Sequence, residues 1–235
     1  MPRMAEVGSG TPLGLRKPAP RQVSDHLQQL ILRGGLKPGD RLPSQRELSL
    51  QLNVSRPSLR EAMTVLVTLG LVTIRVGSGA YVASPEDRAP LWRFSDRCSP
   101  RDVYEARYGL ESYAAKLAAR TADTAGVSRL TTCVERMRLA LSNHDIVGMA
   151  AADAQFHDLI FELCGNPVLA GMYLPVRDLM VETQRLPMMR WTRLEETLFE
   201  HRDLLTKIAA RDVAAAELSM KDHIRSAARR FDIEI

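Results

Sequence analysis

Cysteine is scarce: Cys98, Cys133 and Cys164 are the only three in a chain of 235 residues. The number is odd and no pair has CxxC spacing. Neither a disulfide framework nor a thiolate zinc site is therefore expected, and small core or surface roles in a reducing cytoplasm are. Long apolar runs are lacking too. The longest, Met63 to Ile74, is interrupted by threonines and a glycine and falls far short of the ~20 residues that span a bilayer. The opening Met-Pro-Arg-Met-Ala-Glu-Val leads into no apolar core, so export is not expected either. Acidic residues are thin in the first third. Residues 1–85 carry 5 Asp+Glu against 11 Lys+Arg, and the remainder carries 23 against 21. A basic segment on a mildly acidic body points to a polyanionic partner for that segment.

The chain is long enough for two modest domains, each with its own core. Residues 1–19, rich in proline and glycine, read as a disordered lead-in. From Val23 the pattern is helical, with Val23, Leu27, Leu30 and Ile31 on one face and Gly34-Gly35 as the stop. Lys37-Pro38-Gly39-Asp40 is a turn. Ser44-Gln45-Arg46-Glu47 is a capping box for a short second helix that ends at Asn53. Ser55 caps a third, with Pro57 in its first turn and Leu59, Met63 and Leu66 at helical spacing. Two short strands follow, Leu71 to Val76 and Ala80 to Ala83, around Gly77-Ser78-Gly79. Three helices with a hairpin behind them predict a winged helix-turn-helix over residues 20–84.

The run Leu36 to Leu48, the segment Asn53-Val54-Ser55-Arg56-Pro57-Ser58-Leu59-Arg60-Glu61-Ala62 and the tip Gly77-Ser78-Gly79-Ala80-Tyr81-Val82 closely resemble the DNA-binding domain of GntR-family transcription regulators. The resemblance implies that the third helix enters the major groove. Arg56 and Arg60, flanked by Ser55, Pro57 and Ser58, would then meet bases or phosphates. Arg46 would join them from the second helix, and Gly77, Ser78 and Gly79 would approach the minor groove.

Residues 85–98 read as a linker with a short helical piece, and Ser99-Pro100 opens a helix. From 99 to 235 the pattern is helical throughout, with breaks near Gly126, Asn143, Gly165-Asn166-Pro167 and Pro187. Six helices fit this length as an antiparallel bundle, giving a mainly α protein. Phe156, Phe161, Met172 and Met180 read as core. Three apolar stripes of the bundle carry polar intruders. Ile146, Ala150, Asp153, His157, Ile160 and Cys164 share a face; so do Leu194, Leu198, His201, Leu205 and Ile208, and again Val213, Ala216, Met220, His223 and Ala227. A buried polar group costs roughly 2–7 kcal/mol unless it is satisfied. Separate hydrogen bonds are one solution. A divalent cation held by Asp153, His157, His201 and His223 is the one that satisfies all four together. Arg107 is a further intruder, between Val103 and Leu110. It either pairs with Glu111 one turn on or offers a planar fork to a ligand carboxylate.

Glu105-Ala106-Arg107-Tyr108-Gly109-Leu110-Glu111, Asp153-Ala154-Gln155-Phe156-His157, Gly165-Asn166-Pro167, His201 and His223 resemble the FCD effector domain of the FadR branch of the same family. The resemblance implies metal ligation by Asp153, His157, His201 and His223, and places Arg107 in an effector pocket. Gly109 departs from the pattern, standing where a helix-former is usual. The combined reading is a cytoplasmic, homodimeric regulator, not an enzyme. It would repress from a palindromic operator on double-stranded DNA, bind a divalent metal and respond to a small carboxylate. Zinc is the expected ion, with nickel and manganese also suited to three nitrogens and one oxygen. Two alternatives compete: a metal-dependent hydrolase, for which no HExxH base position exists, and an acyl-CoA-responsive regulator without metal, which would not need the full histidine set.

Overall fold

A computed structural model describes residues 20–32, 36–83, 92, 94, 96–185 and 193–235. The expected lead-in, most of the expected linker and the break at Pro187 lie outside the described residues. The chain divides into two compact units, residues 1–91 and 92–235.

The first unit contains α1 (Pro20–Leu32), α2 (Gln45–Gln51), α3 (Arg56–Thr68), β1 (Val72–Arg75) and β2 (Gly79–Val82). Local chemistry sets its corners. Ser44 Oγ accepts the Glu47 N–H while the Glu47 carboxylate accepts the Ser44 N–H, closing the capping box at the start of α2. Asn53, at φ 52°, takes the left-handed turn between α2 and α3. Leu59, Ala62, Met63 and Leu66 of α3 are buried, as are Val23 and Leu27 of α1, which packs against it. β1 and β2 pair antiparallel with Val72 opposite Val82 and Arg75 opposite Gly79. The wing also has a third edge. Leu42 N–H donates to Ala80 O and Val82 N–H to Asp40 O, with Arg41 bridging Tyr81. The prolines at 38 and 43 and the glycine at 39 make this stretch read only as a turn.

Among the described residues the second unit is all-helical: α4 (Pro100–Thr121), α5 (Thr124–Ser142), α6 (Ile146–Leu163), α7 (Pro167–Tyr173), a 3-10 turn (Leu174–Val176), α8 (Arg177–Arg185), α9 (Leu194–Ala209) and α10 (Val213–Arg229). That is seven helices where periodicity gives six, because Pro175 breaks the segment after Asn166 into two short pieces. Ala114, Ala115, Ala118 and Ala119 of α4 are fully buried, and α4 packs chiefly on α10. The expected break near Gly126 falls at Ala122-Asp123 instead. Asp123 caps α5 by accepting the Gly126 N–H at 2.7 Å. Gly126 lies in the first turn, where a Cβ would come 2.6 Å from Leu163 Cδ2. Phe156, Phe161 and Met180 are core residues, but Met172 is 57% exposed on the outer side of α7.

Helix α4 runs unbroken through Gly109, which is exposed, and a Cβ there would meet nothing within 4 Å. Gly109→Ala is accordingly expected to stabilise the protein by about 0.5–1 kcal/mol, read as a raised denaturation midpoint at unchanged slope. A destabilised variant would mean that the glycine answers to something other than helix propensity.

Candidate DNA-binding surface and metal centre

In the first unit the N-terminal turn of α3 presents Arg56, Pro57 and Arg60 to solvent, and Arg46 is exposed on α2. Ser55 and Ser58 have local work: Ser55 Oγ accepts the Ser58 N–H, and the two hydroxyls share a hydrogen bond of 2.8 Å. These bonds hold the start of the helix in place beneath the arginines. At the wing tip Gly77 and Gly79 have φ of 74° and 122°, values that glycine adopts without strain. Ser78 Oγ and the Tyr81 hydroxyl are 2.6 Å apart, and the Arg75 guanidinium lies 4.5 Å from the centre of the Tyr81 ring. Val76 is fully exposed beside the tip.

In the second unit the three stripes converge as their spacing predicts. α6 delivers Asp153 and His157, α9 delivers His201 and α10 delivers His223, all four buried. One ligand atom from each histidine lies within 4.8 Å of the others. The ring centres of His201 and His223 are 4.6 Å apart, and those of His157 and His223 5.2 Å. Asp153 leans toward two of the three: its Oδ1 is 3.2 Å from His201 Nε2 and its Oδ2 is 4.0 Å from His157 Nε2.

Each histidine also has an acceptor oxygen close to Nδ1. His201 Nδ1 lies 2.8 Å from the Thr197 carbonyl, which can only accept, so the proton sits on Nδ1 and Nε2 keeps its lone pair. His223 Nδ1 lies 2.8 Å from Glu200 Oε2. His157 Nδ1 lies 2.5 Å from Glu111 Oε2, a close contact that is not aligned as a hydrogen bond. Both nitrogens of His157 and the Nε2 of His201 are buried with no hydrogen-bond partner. Three converging imidazoles, with unsatisfied inward nitrogens on His157 and His201 beside a carboxylate, are the donor set of a divalent cation, so the residues present fit such an ion. The electrostatics agree. Burial pushes the His201 imidazole well below its ordinary pKa, with His223 and His157 adding to the effect. Burial raises the Asp153 carboxyl, with His157, His223 and Arg107 pulling the other way.

Arg107 is buried and its fork is engaged. Nε donates to Glu111 Oε1 at 2.6 Å, Nη2 reaches Glu111 Oε2 at 3.5 Å, and Nη1 makes a 3.4 Å contact with Thr183 Oγ1. The expected pair of Arg107 with Glu111 is formed. Burial alone would raise the Glu111 carboxyl, but Arg107 and His157 outweigh it and hold the group well below the usual carboxylate range. Two residues the stripes did not single out complete the surroundings: Glu200, and Arg230 beyond the end of α10, which donates through Nη2 to Glu200 Oε1. Arg230 continues the stripe of His223 and Ala227 by three residues and was findable on that basis. Glu200 has no such signal, because it lies beside its helix's apolar stripe rather than on it.

A winged helix-turn-helix bearing exposed arginines, together with a helical unit whose buried histidines could hold a metal ion, defines a ligand-responsive, DNA-binding transcription regulator. Residues 20–82 match the bacterial regulatory proteins of the gntR family and residues 102–226 match the FCD domain, and the chain belongs to that FCD-containing branch of the GntR family. It is 30% identical to the Glc operon transcriptional activator of Escherichia coli K12 over 235 residues, covering 94% of this chain and 92% of that one. It is 28% identical to the HTH-type transcriptional repressor NanR of Citrobacter rodentium, covering 90% of this chain and 84% of the relative. The solved structure of E. coli McbR/YncC shares the fold at 20% identity and a TM-score of 0.50, over 92% of this chain and 99% of that one. No helix among the described residues is long and apolar enough to cross a membrane.

Proposed function

We propose that the helical domain holds one divalent metal ion, zinc by our assignment, on Asp153, His157, His201 and His223. We further propose that a small carboxylate bound there alters operator binding by the N-terminal domain. The observation that carries this reading is the convergence of three buried imidazoles and one carboxylate, with inward Nε2 atoms on His157 and His201 that nothing in the protein satisfies. A divalent ion bound by these residues would supply concentrated positive charge for a small hydroxy- or keto-carboxylate. The chain's own residues do the rest. The Thr197 carbonyl fixes the His201 ring, and Asp153 balances charge. Arg107, already held by Glu111, retains donor capacity at Nη1 for a second anionic group on the effector.

On the DNA side, Arg56 and Arg60 address base edges in the major groove, with Ser55, Pro57 and Ser58 shaping the approach. Arg46 and the tip Gly77-Ser78-Gly79 meet the backbone and the minor groove. The protein acts as a homodimer on a palindromic operator and represses until the effector arrives, which requires that ligand affinity differ between the DNA-bound and released states. Arg56→Ala is expected to cost about 1–3 kcal/mol of operator affinity at matched salt, with little change on unrelated DNA. Unchanged operator affinity would remove Arg56 from the recognition surface. The effector reading is tested by operator-shift titrations with a panel of mono- and dicarboxylates on metal-loaded and metal-stripped protein. The expected response belongs to the loaded form alone, and an equal response from both forms would reject it.

A further inference from the structure

Two of the three acceptors behind the histidines also clamp an arginine. On one side Arg107 Nε donates to Glu111 Oε1 at 2.6 Å while Glu111 Oε2 lies 2.5 Å from His157 Nδ1. On the other, Arg230 Nη2 donates to Glu200 Oε1 while Glu200 Oε2 lies 2.8 Å from His223 Nδ1. The first chain of contacts joins α4 to α6, and the second joins the segment after α10 to α9 and back to α10. Each glutamate thus presents one oxygen to a fixed cation and the other to an imidazole. An ionised carboxylate only accepts, so it favours the proton on Nδ1 and leaves Nε2 as the lone-pair nitrogen. For His157, that nitrogen is the one facing Asp153. Glutamates serving only to neutralise the two arginines would have no reason to end on Nδ1 of a ligating histidine in both cases.

We propose that Glu111 and Glu200 are positioning residues of the metal site, paired Arg–Glu–His relays that set His157 and His223 as Nε2 ligands. This rests on the metal reading of the cluster. Carboxylate–histidine partners of this kind orient the ring and raise its basicity, and losing one typically weakens metal affinity about 10–100-fold. In Glu111→Gln and Glu200→Gln the arginine keeps the amide oxygen, so the amide N–H₂ faces Nδ1 and the imidazole proton moves to Nε2.

The test has two readouts. Long-range ¹H–¹⁵N spectra of the metal-free wild-type protein are expected to show His157 and His223 as Nδ1–H tautomers, and each glutamine variant to convert its own histidine to Nε2–H. Competition of Zn²⁺ against a chelator is expected to show each variant binding about 10–100-fold more weakly than wild type. An Nε2–H tautomer at either histidine in wild type overturns the proposal without any variant having to fold. Wild type that binds Zn²⁺ alongside variants that bind it equally tightly overturns the relays and leaves the metal reading standing. Wild type that binds no Zn²⁺ defeats the metal reading and the relays with it.

Discussion

Removing metal with a chelator is expected to lower the melting temperature of the protein by on the order of 10 °C, and excess Zn²⁺ to restore it. Metal at about 1,000 times its dissociation constant stabilises the native state by about 4 kcal/mol, and a domain of this size shifts by a few degrees per kcal/mol. The physical cause is local. Without an ion, the inward Nε2 atoms of His157 and His201 lie buried and unpartnered beside Asp153, and unfolding returns them to water. His201→Ala and His223→Ala should both abolish the metal-dependent part of the shift. They should leave operator-independent DNA binding by the N-terminal domain in place, since that domain has its own core in Leu27, Leu59, Met63 and Leu66. A melting temperature insensitive to chelator and to added Zn²⁺ would mean that the cluster is satisfied within the protein.

The second large effect concerns Arg107. Its partner Glu111 is only 1% exposed, and its carboxyl is held ionised by Arg107 and His157. Arg107→Met strands that charge in the bundle and is expected to destabilise the protein by about 3–5 kcal/mol, the usual result of breaking a buried pair from one side. Measured on metal-free protein, the double variant Arg107→Met, Glu111→Leu should recover much of the loss, because neither charge of the pair then remains to be buried. Chemical denaturation of the two variants separates these cases, and a double variant no better than the single would show that the ion pair is not the source of the loss. The pair also bears on effector experiments. Reduced carboxylate binding by an Arg107 variant counts as lost recognition only at temperatures where that variant remains folded.

Much of the fold was legible because its corners are local. Ser44 with Glu47 satisfies helix-end N–H groups reciprocally, Ser55, Ser99 and Asn166 accept them at their own helix starts, and Pro57, Pro100 and Pro167 remove a donor there, all at fixed spacings in the sequence. The convergence of Asp153, His157, His201 and His223 was legible for a different reason. Each breaks an apolar stripe of helical period, and only the core receives such stripes.

What the periodicity hid depends on contacts distant in sequence. The edge at Asp40 to Leu42 exists only because β2 comes alongside it. Gly126 reads as a breaker, yet the requirement it answers is space for Leu163 from another helix. Glu200 lies beside its stripe and becomes part of the site only because His223 and Arg230 reach it. Arg107 could be read two ways from sequence, since both readings place it on the same buried face. The 2.6 Å contact with Glu111 forms the pair, and Nη1 keeps donor capacity beside it.

The central claim is that Asp153, His157, His201 and His223 form one metal site, and metal content per chain measures it most directly. Wild-type protein purified from zinc-supplemented cells and dialysed against metal-free buffer is expected to carry one equivalent of divalent metal. Asp153→Ala should retain much less, and His157→Ala combined with His201→Ala none. A wild-type protein that retains no metal after dialysis, or a double-histidine variant that retains as much as wild type, would contradict the account.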